Sequence, residues 1–189
     1  MHFFNTLFNF AVKPGEEINK IMQERRLTLA LLGYFSGALS LMMMIALESG
    51  KKFSSFGFTA GTVGFLFFNV CIGFFFSSSA HLFLELATGK GRAAGLFVLI
   101  GLSEFTKTLL VAFALVCAAI PSLAPFRIII VLIVLLFQTL VVLFMMHKAY
   151  GLSKISTFFA LVASFIPSVI SLFAFGILMF SFIFWMLSK

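Results

Sequence analysis

The chain has 189 residues, of which 62% are apolar and 10% are charged, and its mean hydropathy is +1.18. Soluble domains average about 45–50% apolar and about 25% charged residues, so one water-soluble core could not cover this much apolar surface. The net charge of +7 does not indicate a nucleic-acid partner, because the 13 basic residues are scattered between apolar runs. The composition predicts an all-α, polytopic integral membrane protein in contact with the lipid bilayer.

The first predicted element is a short cytoplasmic segment, residues 1–26, that precedes the membrane. Apolar residues form one helical stripe in its first half, namely Phe3, Phe4, Leu7, Phe8 and Ala11. This stripe predicts a short amphipathic helix that lies in the membrane interface. Pro14 suits the first turn of a second short helix, because the N–H that proline lacks would have no partner there.

Five long apolar runs follow and predict a five-helix transmembrane domain over residues 27–189. The runs cover residues 27–47, 56–84, 93–119, 128–146 and 155–187. A spanning helix needs about 20 residues, and each run supplies about that number or more. The fifth run is long enough to cross once or to fold into a kinked hairpin, because Pro167 near its middle removes a backbone donor.

The lysine and arginine residues between the runs predict the orientation. Eight lie on the side of the N-terminus, namely Lys13, Lys20, Arg25, Arg26, Lys90, Arg92, Lys148 and Lys154. Four lie on the other side, namely Lys51, Lys52, Arg127 and Lys189. By the positive-inside rule the N-terminus is cytoplasmic and the C-terminus lies outside. A hairpin in the fifth run would return the C-terminus to the cytoplasm.

Glu104 and Lys107 are the most unusual residues, because they lie near the centre of the third apolar run. A charge at the middle of a span costs about 2.5–3.5 kcal/mol, so we expect both side chains to face neighbouring helices. Residues three apart share one helix face. The pair is open to two interpretations: a relay for protons, ions or lipid headgroups, or an intrahelical ion pair that fixes packing.

Five other polar residues lie inside the runs or at their ends. His81 and Glu85 are four residues apart and could begin a metal site, but no further cluster of ligands completes it. The pattern favours an interfacial pair that reaches toward water, and His147 fits the same description. Asn69 and Gln138 lie in the middle of runs and are predicted to hydrogen-bond across helices.

Glycines four residues apart predict close helix contacts. The motifs are Gly33 with Gly37, Gly57 with Gly61, and Gly91 with Gly95. They are compatible with packing inside one chain and with a homodimer. The sequence contains none of the serine-hydrolase or zinc-protease motifs, so we interpret the protein as non-enzymatic, with no catalytic, cofactor or metal residues.

Three segments carry a family resemblance. They are FNFAVKPGEEI at residues 8–18, HLFLELATGKG at residues 81–91 and HKAYGLSK at residues 147–154. With five apolar runs, their spacing resembles that of the Yip family, the five-span membrane proteins named for interaction with Ypt/Rab GTPases. The chain departs from the family pattern in its third run, where Glu104 to Lys107 stand in place of a usual proline.

The resemblance implies a fold without a settled activity, and the leading hypothesis is a non-enzymatic, Yip-like membrane scaffold or adaptor. Its expected partner is a second copy of the chain or another membrane protein. It implies a short bacterial-type member in the cytoplasmic membrane or, for a eukaryotic chain, a protein of the Golgi or endoplasmic reticulum membrane. Eukaryotic relatives carry a long cytosolic N-terminal region, whereas 26 residues precede the first run here, which weakens the inference of GTPase binding. The alternative function is a small transporter or channel that uses Glu104 and Lys107.

Overall fold

The computed structural model describes residues 12–24, 26–49, 54–89 and 92–187, and these are almost entirely helical. The helices are α1 (Pro14–Glu24), α2 (Leu27–Ser49), α3 (Ser55–Thr88), α4 (Ala93–Ser103), α5 (Thr108–Ala119), α6 (Arg127–Tyr150) and α7 (Lys154–Leu187). Two 3-10 segments, Glu104–Lys107 and Pro121–Phe126, join α4 to α5 and α5 to α6. The predicted interfacial stripe in residues 1–11 lies outside the described residues, and so does Gly91.

Five helical units are long and apolar enough to cross a membrane, which confirms the predicted number. They are α2, α3, α4 together with α5, α6, and α7. Pro167 lies inside α7, which is one continuous helix, so the fifth run forms a single helix and not a hairpin. The third unit is less regular than its apolar composition predicts, because the 3-10 segment interrupts it at Glu104.

The ends of the long helices follow from local side-chain chemistry. At the start of α3, the Ser54 hydroxyl accepts a hydrogen bond of 3.0 Å from the backbone N–H of Gly57, which satisfies a donor that the first turn leaves free. Helices α3 and α6 end at Gly89 and Gly151, whose φ angles are 65° and 66°. Glycine adopts this left-handed conformation without the steric cost of a Cβ atom.

The centre of the bundle is formed by α2 and by α4 with α5. In the most apolar stretch of these two units, 44% and 56% of the residues are buried, against 17%, 17% and 11% in α3, α6 and α7. The three outer helices therefore carry large apolar side chains on their outward faces. A helix that is apolar all round is typical of a membrane span.

Helix α1 belongs to the same core as the longer helices. Its residues Ile18, Ile21 and Met22 are buried and join one cluster with Leu96 of α4 and Met145 of α6. The sequence predicted only a second short helix in the cytoplasmic segment, with no contact to the apolar runs. Instead, α1 closes one end of the bundle by packing its apolar face on α4 and α6.

Candidate functional site

The 3-10 segment aligns the two mid-run charges. Ser103, Thr106 and Thr108 each donate a side-chain hydrogen bond to the backbone carbonyl three residues earlier, at 2.6, 2.8 and 2.7 Å. Such bonds compete with the regular helical ladder and bend helices. Because side chains three residues apart eclipse in a 3-10 helix, Glu104 comes to lie directly beside Lys107.

The carboxylate of Glu104 is held on both sides. Lys107 Nζ donates to Glu104 Oε2 at 2.6 Å, and Gln138 Nε2 of α6 donates to Glu104 Oε1 at 2.7 Å. The Gln138 amide also reaches Ser103 Oγ at 3.4 Å. Glu104 and Lys107 are only 5% and 7% exposed. The prediction that both charges face neighbouring helices is confirmed, as is the cross-helix hydrogen bond of Gln138.

The glycines of α2 allow the third unit to approach closely. A Cβ atom added to Gly33 would lie 1.9 Å from the carbonyl oxygen of Gly101, and one added to Gly37 would lie 2.5 Å from Glu104 Oε2. Real Cβ atoms do not make contacts this short, so Gly33 requires glycine, and a larger residue at Gly37 would displace the Glu104 carboxylate. The motif of Gly33 and Gly37 therefore packs against the chain's own third unit, with the charged pair beneath it.

The other glycine motifs are also largely used within the chain. Gly61 faces Met42 of α2, and Gly95 faces Met22 of α1; added Cβ atoms would lie 2.7 and 2.5 Å from the two methionine sulfurs. Gly57 lies in the first turn of α3, where it donates to the Ser54 cap. For the described glycines Gly33, Gly37, Gly61 and Gly95, the contacts favour packing inside one chain over a homodimer.

A cavity of about 370 Å³ opens beside the charged pair. Its walls come from α3, α6 and α7, and its floor comes from the end of α4 and the 3-10 segment. Its polar lining residues are Ser103, Glu104, Lys107, Gln138 and Thr139, and its apolar ones are Ile72, Phe76, Ile100, Leu135, Val142, Leu161 and Phe165. The charged pair thus lies at the boundary between a tightly packed helix contact and an open, mostly apolar space.

His81 and His147 have contacts outside this cavity. His81 Nε2 lies 3.1 Å from Glu85 Oε2, in the partly exposed last turns of α3. His147 Nδ1 lies 2.5 Å from the carbonyl oxygen of Leu152, in the turn between α6 and α7. Among the described residues, no three His, Cys, Asp or Glu side chains come together as metal ligands.

The turn between α6 and α7, which contains His147, is hydrogen-bonded internally and to the connection that precedes α4. Gly151 donates its backbone N–H to the His147 carbonyl at 3.0 Å, and Ser153 Oγ accepts from the Ser156 N–H at 3.1 Å to begin α7. At the start of this turn, the Tyr150 hydroxyl accepts a hydrogen bond of 3.4 Å from the backbone N–H of Arg92, the residue before α4. The segment HKAYGLSK therefore forms a hydrogen-bonded turn at the same end of the bundle as α1.

Sequence reasoning missed three residues that shape the site: Ser103, Gly101 and Tyr34. The Tyr34 ring is fully buried and its hydroxyl donates to the Phe97 carbonyl at 3.2 Å. The spacing of Ser103, Thr106 and Thr108 around the charges was the available signal for a helix irregularity.

The buried Asn69 Nδ2 has no hydrogen-bond partner in the described part of the chain, so the bond that the sequence predicted for Asn69 is not found.

Comparisons of the chain with protein-family models, with curated proteins and with solved structures find no match. The resemblance to the Yip family therefore stays a prediction that rests on the three quoted segments and the five apolar runs.

Proposed function

We propose that the chain is a multi-pass integral membrane protein whose N-terminus lies in the cytoplasm. The five long apolar helices and the outward-facing apolar side chains of α3, α6 and α7 support insertion into a bilayer. The excess of basic residues on the N-terminal side supports the orientation. By its resemblance to short Yip members, the membrane is the cytoplasmic membrane of a bacterium.

Within that membrane, the protein acts as a non-enzymatic scaffold or adaptor of the Yip type. One observation carries this role: both carboxylate oxygens of Glu104 bond to the chain's own Lys107 and Gln138. A relay residue must release its partners in order to exchange a proton or an ion. A carboxylate engaged on both oxygens, beneath the glycines of α2, instead joins the third unit to α6 and fixes the helix arrangement.

Mass spectrometry of the gently solubilised complex tests the adaptor role. We expect the 20.9-kDa chain to be released with a second membrane protein, or a second copy, at fixed stoichiometry. A variant with Glu104→Leu and Lys107→Met should keep the same partner, because the pair lies inside the bundle. A chain that is released alone and that conducts ions in proteoliposomes would contradict the adaptor role.

A small transporter or channel is the second candidate. It is favoured by the cavity beside the charged pair, because a transport path needs a space that a solute can enter. In this case proteoliposomes should show a proton or ion flux that Glu104→Gln abolishes, while Gly64→Ala, a change in open space on α3, leaves it intact. Absence of flux from the parent protein would remove this candidate.

A further inference from the structure

The cavity beside the charged pair opens toward the side of the bundle. Ile72 of α3, Leu135 of α6 and Phe165 of α7 line it and are 39%, 40% and 61% exposed. All three lie well inside their helices and away from the ends. The cavity is therefore reached laterally, at the height where the proposed bilayer would present acyl chains, and not through a pore along the bundle.

The polar lining of the cavity retains hydrogen-bonding capacity on its floor and on the α6 wall. A lysine ammonium has three N–H donors, of which the bond to Glu104 uses one. The hydroxyl of Thr139 donates to the Leu135 carbonyl at 2.9 Å, which leaves its oxygen able to accept. The cavity lining therefore offers a donor at Lys107 and an acceptor at Thr139. A ligand hydroxyl can use either of them, and an ester carbonyl can accept from Lys107.

Charge and size narrow the class of ligand. Lys107 and Glu104 neutralise each other, so a charged headgroup brought to this buried floor would lose its hydration without gaining a counter-ion. The volume of about 370 Å³ lies at the low end of the range for ligand sites, about 300–1,000 Å³. This space suits one acyl chain and a small headgroup better than a phospholipid with two chains.

We propose that this cavity binds a neutral, single-chain amphiphile from the bilayer, of the monoacylglycerol class. The ester carbonyl accepts from Lys107 on the floor, and a glycerol hydroxyl donates to Thr139 on the α6 wall. The acyl chain lies along Phe76 and Leu161 and leaves the cavity past Phe165. The proposal does not depend on the adaptor role, because it concerns only this cavity and its lining.

Photo-cross-linking in phosphatidylcholine nanodiscs tests the proposal. The probe is a monoacylglycerol that carries a diazirine in the middle of its chain. We expect saturable labelling of the peptides around Phe76, Leu161 and Phe165, and competition by unlabelled monomyristoyl glycerol. Diazirine probes built on a fatty acid and on a plain hydrocarbon of equal chain length should label these peptides about tenfold less, because they bring a charge or lack a polar group.

Two variants and a matched control locate the site. Thr139→Val keeps the side-chain shape but removes the hydroxyl, and should lower labelling about tenfold; Leu161→Trp should block the cavity. Gly176→Leu alters a separate apolar groove on α7, where an added Cβ atom meets open space, and should change nothing.

Two results would overturn the amphiphile site. One is labelling that does not saturate and that is as strong at the Gly176 groove as at the cavity, which indicates general lipid contact. The other is equal labelling by the hydrocarbon probe and by the monoacylglycerol, which shows that the polar floor recognises nothing. Either result leaves the adaptor role untouched, because that role is read from the mass of the complex.

Discussion

Glu104 has two carboxylate oxygens, and each has a different partner. Lys107 neutralises one through a bond of 2.6 Å, and the Gln138 amide satisfies the other at 2.7 Å. The arrangement follows the general rule that a buried charge must be both paired and hydrogen-bonded. Gln138 is the member of this group that links it to a second long helix, so its contribution can be measured separately.

Replacement of Gln138 by leucine should destabilise the bundle. The change removes the amide that donates to Glu104 Oε1 and leaves a buried carboxylate oxygen without that partner. We expect the free energy of unfolding to fall by about 1–3 kcal/mol, measured by denaturant titration in mild detergent. Leu136→Val, at a position on the same helix that is 62% exposed, is the control and should change little. Equal effects of the two variants would show that the Gln138 bond does not matter.

At the scale of the helices, glycine determines how close α2 comes to the third unit. An alanine at Gly33 would bring its methyl group 1.9 Å from the Gly101 carbonyl oxygen, so the two backbones must move apart. Gly33→Ala should therefore lower the free energy of unfolding by about 1–3 kcal/mol or more. At Gly64 an added Cβ meets open space, and Gly64→Ala should be neutral or slightly stabilising. Thermal unfolding of the two variants in parallel checks this contrast.

The packing of α1 gives a second prediction at this scale. Ile18 is fully buried between α1 and the longer helices, so Ile18→Ala should cost about 2–5 kcal/mol in unfolding free energy. Ile155→Ala, at a position that is 70% exposed, removes the same atoms from an outward face and should cost far less. A detergent-solubilised chain that tolerates both changes equally would mean that α1 is not part of the folded core.

The apolar runs were sufficient to predict the five long helices, because length and hydropathy alone decide whether a helix can cross a bilayer. They were not sufficient for the break at Glu104–Lys107. That break arises from hydroxyl bonds of Ser103 and Thr106 to the backbone, and these depend on rotamers and on which neighbours bury the segment. The role of α1 was missed for a related reason: its polar face is visible in the sequence, but the apolar end of the bundle that receives Ile18 is a tertiary feature.

For Glu104 and Lys107 too, the sequence predicted part of the arrangement and could not show the rest. Its i,i+3 spacing predicted a shared face, and its cost in lipid predicted burial against other helices. The sequence could not show that the glycine motif of α2 covers Glu104, since Gly37 and Glu104 are brought together by the pairing of two helices distant in the chain. Nor could it show the cavity, which exists because α3, α6 and α7 leave a space above the pair.

For the whole molecule, the proposed topology can be tested by cysteine labelling. In a background with Cys71 and Cys117 replaced, Lys148→Cys should react only from the cytoplasmic side, and Lys52→Cys and Lys189→Cys only from outside. The expectation follows from the excess of basic residues on the N-terminal side and from the proposal that each of the five long apolar helices crosses the membrane once. Labelling of Lys189→Cys from the cytoplasm would contradict the five-span topology. Labelling of all three variants from the sides opposite to those expected would show that the orientation is reversed.

The central claim is that Glu104 and Lys107 form a structural ion pair inside a membrane bundle, and a double-mutant cycle tests it most directly. The measurement is the free energy of unfolding of the parent protein, Glu104→Leu, Lys107→Met and the double variant in one detergent. Each single variant leaves a buried charge without its partner and should lose about 3–5 kcal/mol, whereas the double variant removes both charges and should recover most of that loss. Single variants as stable as the parent would contradict the structural pair.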